Sequence, residues 1–270
     1  MGDMPHIHTE DELRDILYSA MERFNYVLDF GISAENTIIA FFTAQNAIEV
    51  YERFCDENFF NQLDENYTAA GYFDSITASA FVGEKYGIMI RSDLKWSSYE
   101  YFRIFLHEIS HIFCTINEID GGGFYNKYCL GSGVDDGIIN AGYAIWREAI
   151  ADITADAVYS DMAMISLRDV KSDVVRLYDL ILPYNLDSKK CMSLLIAYLM
   201  ISSEVAGTRS WETAERAIRE TINFGDEYIY RIAEMVFENL HDGSFWTITP
   251  EFIIDLGNTY LWLLTKRVFN

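Results

Sequence analysis

The stretch His107-Glu108-Ile109-Ser110-His111 determines which fold we expect for this chain. Residues four positions apart lie on one face of an α-helix, so His107 and His111 can both reach one metal ion. Glu108 lies about 100° further round the helix, where its carboxylate can contact a water molecule on that ion without binding the metal. The pattern therefore predicts metal-assisted hydrolysis with Glu108 as general base.

The residues around this stretch predict that it lies on a helix. Ser97 and Glu100 have the spacing of a capping box, which predicts a helix over residues 98–116. Five apolar side chains fall on the arc opposite the two histidines: Phe102, Phe105, Ile109, Ile112 and Phe113. That side of the helix can pack in a core while the histidines face a cleft.

A third metal ligand is expected further along the chain, because a catalytic zinc ion usually has three protein ligands and one open position. Glu148 and Asp152, in WREAIAD at residues 146–152, are again four apart on a predicted helix. We expect Glu148 to bind the metal and Asp152 to accept a hydrogen bond from a ligating histidine. Asp135 and Asp136 are alternative third ligands, although no helical pattern surrounds them.

These two motifs together resemble the gluzincin metallopeptidases, the clan that includes thermolysin-like and neprilysin-like enzymes. The clan's pattern is HExxH followed by ExxxD, and here HEISH is followed by EAIAD. The resemblance implies one zinc ion per chain and gives each motif residue a role: His107, His111 and Glu148 as ligands, Glu108 as base and Asp152 as the residue that orients a ligand. It covers residues 107–152, with Arg147 where thermolysin-like enzymes have Asn.

The resemblance also implies an α+β, zincin-like fold. We expect a mixed α/β lobe over residues 1–117 that ends in the HExxH helix, and an all-helical lobe over 118–270 that begins with the Glu148 helix. The local patterns predict strands at 37–42, 71–82 and 86–91 and helices at 10–30, 44–60, 98–116, 144–164, 168–182, 187–205, 211–223, 226–240 and 250–266. Residues 118–140 are rich in Gly and Asp and predict a long irregular loop.

Some of these predictions concern individual positions. Thr9 and Glu12 have capping-box spacing at the start of the first helix, and Gly31 is its expected stop. In the second helix we expect Ile48, Tyr51, Phe54 and Cys55 on one buried face. The strand at 86–90 has two interpretations: an edge strand that binds an extended peptide, or the inner strand of its sheet.

Two further side chains are candidates for stabilising the oxyanion that forms during peptide hydrolysis. His241 follows the glutamate ligand in the chain order of thermolysin-like enzymes, and its alternative is an ordinary histidine at a helix C-terminus. Tyr143 lies just before the glutamate ligand, but it is one of 18 tyrosines.

Cys114 is expected to be a buried helical cysteine rather than a ligand. We assign no role to His6 and His8, which we expect in a mobile tail.

Composition excludes several classes of function. A net charge of −22 opposes binding to nucleic acid and to anionic membranes. The four cysteines are far apart and predict reduced thiols, while the absence of a signal peptide and of a long apolar run predicts a cytoplasmic protein. The sequence therefore predicts a zinc metallopeptidase that acts on a peptide or protein substrate. The alternative is a non-catalytic zinc-binding scaffold or regulatory module of the same fold.

Overall fold

Helices predominate in this chain, and its strands are short. The structure, a computed structural model, describes residues 4–61, 76–129, 131, 133–160, 171–172, 174–175, 192, 195–200, 210–223, 225–241 and 248–268. These residues belong to two compact units, Met1–Ile116 and Asn117–Asn270. The mixture of helices and small sheets agrees with the predicted α+β class.

The first unit combines a three-stranded sheet, a two-stranded ribbon and helices. Its described elements are β1 (His6–Ile7), α1 (Glu10–Leu28), β2 (Thr37–Phe42), α2 (Ala47–Asn58), β3 (Ala78–Val82), β4 (Tyr86–Arg91), β5 (Lys95–Trp96) and α3 (Ser98–Ile116). The sheet has the order β2-β4-β3, with β2 parallel and β3 antiparallel to β4. The ribbon pairs β1 with β5 in antiparallel register. Helix α3 has the predicted bounds.

Strand β4 is the inner strand of the sheet. Its central residues Ile88, Met89 and Ile90 have no exposed surface, and each of its edges pairs with another strand. The interpretation of residues 86–90 as a peptide-binding edge strand is therefore wrong, because its backbone groups are already used. Strand order depends on contacts between distant segments, which the alternation within one strand does not contain.

Gly87 in β4 allows an aromatic ring to lie directly on the sheet. A Cβ atom at Gly87 would lie 2.7 Å from the Phe60 ring and 3.0 Å from the Phe54 ring. Phe60 is buried with Phe54 in the cluster that joins α2 to the sheet. The glycine therefore permits close packing of the residues that follow α2.

Helix boundaries in this unit differ slightly from the predictions. The Thr9–Glu12 capping box is present, but α1 ends at Leu28, because Asp29 adopts the left-handed conformation (φ 49°) before Gly31. Helix α2 begins at Ala47 instead of residue 44. The Asn46 side chain accepts hydrogen bonds from the backbone N–H and hydroxyl of Thr43, which closes a turn ahead of the helix.

The predicted apolar face of α2 holds only in part. Tyr51, Phe54 and Cys55 are buried as expected, but Ile48 is 45% exposed. Val50 occupies the buried face in its place.

His6 and His8 do not lie in a mobile tail. His6 belongs to β1, which pairs with β5, and His8 is buried. The sequence prediction was wrong because the pairing partner of these residues, Lys95–Trp96, lies about 90 positions further along the chain.

The second unit is helical in its described residues. Its elements are α4 (Gly122–Tyr128), α5 (Val134–Ser160), α6 (Trp211–Thr221), α7 (Glu227–His241) and α8 (Pro250–Val268). The last three confirm the helices predicted at 211–223, 226–240 and 250–266. The helices predicted at 168–182 and 187–205 lie largely outside the described residues, and so do residues 71–75 of the predicted strand.

The long irregular loop predicted at 118–140 is wrong. Helix α4 lies within it, and α5 begins at Val134, ten residues before the predicted start. Gly137, one of the glycines on which the loop prediction depended, lies inside α5.

Gly142 has a packing role that explains its place in a helix. A Cβ atom there would collide with the backbone carbonyl oxygen of Ile253 in α8. In the same way, a Cβ atom at Gly257 of α8 would collide with the carbonyl oxygen of Ile138 in α5. The backbones of α5 and α8 therefore touch at this crossing, and each helix needs a glycine there.

Candidate metal centre

Helix α3 brings three chemically active side chains into a dry environment. His107 and His111 are each 5% exposed, and Glu108 is 3% exposed. Their neighbours Phe105, Ile109 and Ile112, on the predicted apolar arc, are fully buried. Ionisable side chains are rarely buried unless they are paired or bind a metal, so this part of α3 has the character of a site.

The two histidines direct the same ring nitrogen toward one point. His107 Nε2 and His111 Nε2 are 3.0 Å apart, and the ring planes are nearly perpendicular, at 89°. A neutral imidazole has a lone pair on only one nitrogen, and that nitrogen is the metal ligand. Two such nitrogens at this separation can bind one ion together.

Glu148 completes a set of three ligands. The ligand atoms of His107, His111 and Glu148 all lie within 4.8 Å of one another, and no other such group occurs among the described residues. Glu148 is partly buried on α5. Two imidazole nitrogens and a carboxylate oxygen are a donor set that divalent transition metals accept, so these residues could hold a metal ion.

Asp152 lies one turn after Glu148 on α5 and is 4% exposed. A buried carboxylate at this place is suited to the predicted hydrogen bond to a ligating imidazole, and that role stays a prediction. Asp156, a further buried carboxylate on α5 that was not predicted from the sequence, is also 4% exposed. Acidic residues recur every four positions on this helix, at Glu148, Asp152 and Asp156. This spacing could have predicted from the sequence that Asp156 lies on the same face as the other two.

Tyr143 lies in an aromatic environment on another side of α5. Its ring stacks on Phe124 with centroids 6.1 Å apart and contacts Tyr125 at 5.4 Å. Burial, and then the carboxylate of Asp120, raise the pKa of Tyr143, so its hydroxyl remains protonated at neutral pH. The hydroxyl can donate a hydrogen bond but is a poor proton acceptor, and its predicted catalytic role stays a prediction.

Helix α7 ends at His241, as expected for a histidine at a helix C-terminus, but the His241 side chain lies outside the described part of the chain. Asp135 is exposed, and Asp136 accepts a hydrogen bond from the Gly133 backbone N–H at 2.7 Å. The group that could hold a metal contains Glu148 and neither of these aspartates.

The described cysteines agree with the expected reduced thiols. Cys55, Cys114 and Cys129 are buried and free of disulfide bonds. Burial raises the pKa of Cys129 to about 11. Cys191 lies outside the described residues.

Within the part of the chain that the structure describes, none of the helices has the length and apolar character needed to cross a membrane.

Comparison with known proteins identifies no family for this chain. No family model, curated protein or solved structure matches this chain. The functional assignment therefore depends on the residues of the site itself.

Proposed function

We propose that this chain is a zinc-dependent metallopeptidase of the gluzincin type with a zincin-like fold. It binds one Zn²⁺ through His107, His111 and Glu148. The observation that carries this proposal is the group of three ligand atoms within 4.8 Å of one another. Two histidines and one glutamate are the protein ligands of catalytic zinc in thermolysin and carboxypeptidase A, where a fourth position is open.

Side chains of this protein supply the remaining chemistry. His107, His111 and Glu148 would hold the zinc ion, which would supply Lewis-acid activation of the scissile carbonyl group and of the attacking water. The Glu108 carboxylate accepts a proton from that water and returns it to the leaving amine. Because Glu108 is only 3% exposed, little bulk water competes for its oxygens. Asp152 fixes the orientation of a ligating imidazole, which by the resemblance is His107.

Strand β3 is the element best suited to bind an extended peptide. It pairs with β4 along one edge, and no described strand pairs with its other edge. It also packs against α3, the helix that carries the two histidines. A peptide that adds to the outer edge of β3 would gain backbone hydrogen bonds to a strand that packs against the helix carrying Glu108. We therefore propose that β3, and not the strand at residues 86–90, binds an extended peptide substrate.

The test of this proposal is the variant Glu108→Gln, which keeps the size of the side chain and removes its basicity. We expect it to retain zinc and the fold but to lose hydrolysis, because an amide does not accept the proton of water. Elemental analysis measures the zinc, and cleavage of a mixed peptide library with and without chelator measures the activity. Glu100→Gln is the matched control on the same helix, because Gln also forms a capping box.

Two outcomes contradict the proposal in different ways. A Glu108→Gln protein that cleaves as fast as the wild type refutes the role of Glu108. A wild-type protein that holds zinc but cleaves no peptide in the library is instead the non-catalytic zinc-binding scaffold.

A further inference from the structure

Residues 4–9, which we call the strap, lie against the beginning of α3 within the first unit. Their strand β1 pairs with β5, which ends one residue before Ser97. At the other end of the strap, Thr9 forms the capping box of α1 with Glu12. The strap is therefore fixed at both ends, and its position relative to α3 is defined.

His8 is the residue of the strap that contacts α3. Its side chain is buried, with 4% exposure, and its Nε2 lies 3.0 Å from the hydroxyl oxygen of Ser98. A hydroxyl can donate or accept, so this hydrogen bond forms with either tautomer of the imidazole. The His8 ring also meets the Tyr101 ring edge-on, with centroids 5.1 Å apart, and stacks on the His6 ring with centroids 3.9 Å apart.

Tyr101 ties the same turn of α3 to the chain ahead of it. Its hydroxyl donates to the carbonyl oxygens of Arg91 and Leu94, at 3.0 and 3.3 Å. Burial raises the pKa of Tyr101 to about 12, so the hydroxyl keeps its proton. Together with the Ser97–Glu100 capping box, these contacts hold the first turn of α3.

The strap contacts α3 on the side opposite the metal ligands. Ser98 and His107 are nine positions apart, which is about 900° of rotation, or half a turn out of phase. His111 lies about 220° from Ser98 by the same measure. If α3 rotated about its axis, the hydrogen bond between His8 and Ser98 would break and both histidine rings would change direction.

We propose that His8 is a positioning residue for the metal-binding helix. Its hydrogen bond to Ser98 fixes the rotation of α3 and thereby the direction in which His107 and His111 present Nε2. This inference rests on the proposed zinc site and adds a residue about 100 positions away from it in sequence. The competing explanation is that His8 only fills space in the core.

Three variants separate these explanations. His8→Phe keeps a buried ring and loses the hydrogen bond, whereas His8→Gln keeps an amide that can still bond to Ser98. Val50→Ala is the control, because Val50 is buried in the cluster of α2 and its loss destabilises the unit elsewhere. We expect His8→Phe to weaken zinc binding about fivefold, the loss of one ordinary hydrogen bond, with His8→Gln and Val50→Ala near the wild type. Competitive zinc titration measures the affinities.

Hydrogen exchange in the metal-free proteins gives a second measurement that does not depend on zinc. The backbone amides of residues 101–105 should exchange faster in His8→Phe than in Val50→Ala. If the wild type binds no zinc, the proposed function fails, and the exchange comparison alone decides the positioning role. A His8→Phe protein with wild-type exchange at these amides overturns the inference. So does a His8→Phe protein whose zinc affinity equals that of Val50→Ala.

Discussion

Helices α3 and α5 carry the proposed ligands, and they begin in different ways. At α3, Ser97 and Glu100 cap each other reciprocally: the Ser97 N–H donates to the Glu100 carboxylate, and the Glu100 N–H donates to the Ser97 hydroxyl. At α5, the Gly133 N–H donates to the Asp136 carboxylate, but Gly133 has no side chain to return the bond. The start of α5 is therefore half of a capping box.

The central turns of the two helices also differ in how far their own sequence accounts for them. Helix α3 carries large apolar side chains of its own, such as Phe105 and Ile112, and these are fully buried. Helix α5 instead has Gly142, whose position is explained by the backbone of α8 at Ile253, more than a hundred residues further along the chain. Local sequence defines α3, whereas packing against a distant partner defines much of α5.

The largest effect is expected when the metal ligand that α5 contributes is removed. Glu148→Ala should lower bound zinc well below one equivalent, as should His107→Ala or His111→Ala on α3, because each removes a direct ligand. Asp135→Ala, on the same helix as Glu148 but exposed, is the control and should keep full occupancy. Full occupancy in Glu148→Ala, measured by elemental analysis, would give the third-ligand role to Asp135 or Asp136.

The crossing of α5 and α8 is expected to show the next largest effect. Gly142→Ala should destabilise the protein by about 3 kcal/mol, because the added methyl group meets backbone that cannot move aside without separating the helices. Gly137→Ala is a matched control in the same helix, since a Cβ atom there meets nothing within 4 Å. That change should stabilise the helix by about 0.5–1 kcal/mol. Urea unfolding measures the two stabilities. Equal stability of the two variants would contradict the close approach of α5 and α8 at Gly142.

Asp152 gives a smaller effect that tests whether α5 supports the ligands as well as providing one. Asp152→Asn should weaken zinc binding or turnover by about 10- to 100-fold and leave the fold intact. Competitive zinc titration and circular dichroism measure the two quantities. An Asp152→Asn protein with wild-type affinity and turnover would exclude Asp152 from the site.

The caps themselves provide the smallest and most direct comparison. Ser97→Ala should cost about 1 kcal/mol of stability, because it leaves the Glu100 N–H without its cap. Asp136→Ala should cost less, about 0.5 kcal/mol, since only half of a capping box is lost there. Denaturant midpoints of the two variants measure this difference. A larger loss of stability for Asp136→Ala than for Ser97→Ala would contradict the conclusion that α3 has the stronger N-terminal cap.

The same contrast explains what the sequence can predict. The bounds of α3 and the pairing of His107 with His111 follow from spacings within one helix, and both agree with the structure. The start of α5 was missed because Gly133 has no capping side chain and because residues 118–140, which include Gly137, are rich in Gly and Asp. The burial of His8 was missed because it depends on Ser98, which a local pattern cannot connect to it.

The order of strands in the small sheet has a consequence for the speed of folding. Strands β3 and β4 are joined by three residues, so this hairpin can form on the microsecond scale. Strand β2 pairs with the other edge of β4, and its partners Thr37 and Tyr86 are 49 positions apart. Closing that interval costs chain entropy before any contact compensates for it. The hairpin should therefore form first, and the docking of β2 should limit the rate at which the first unit acquires its buried central strand.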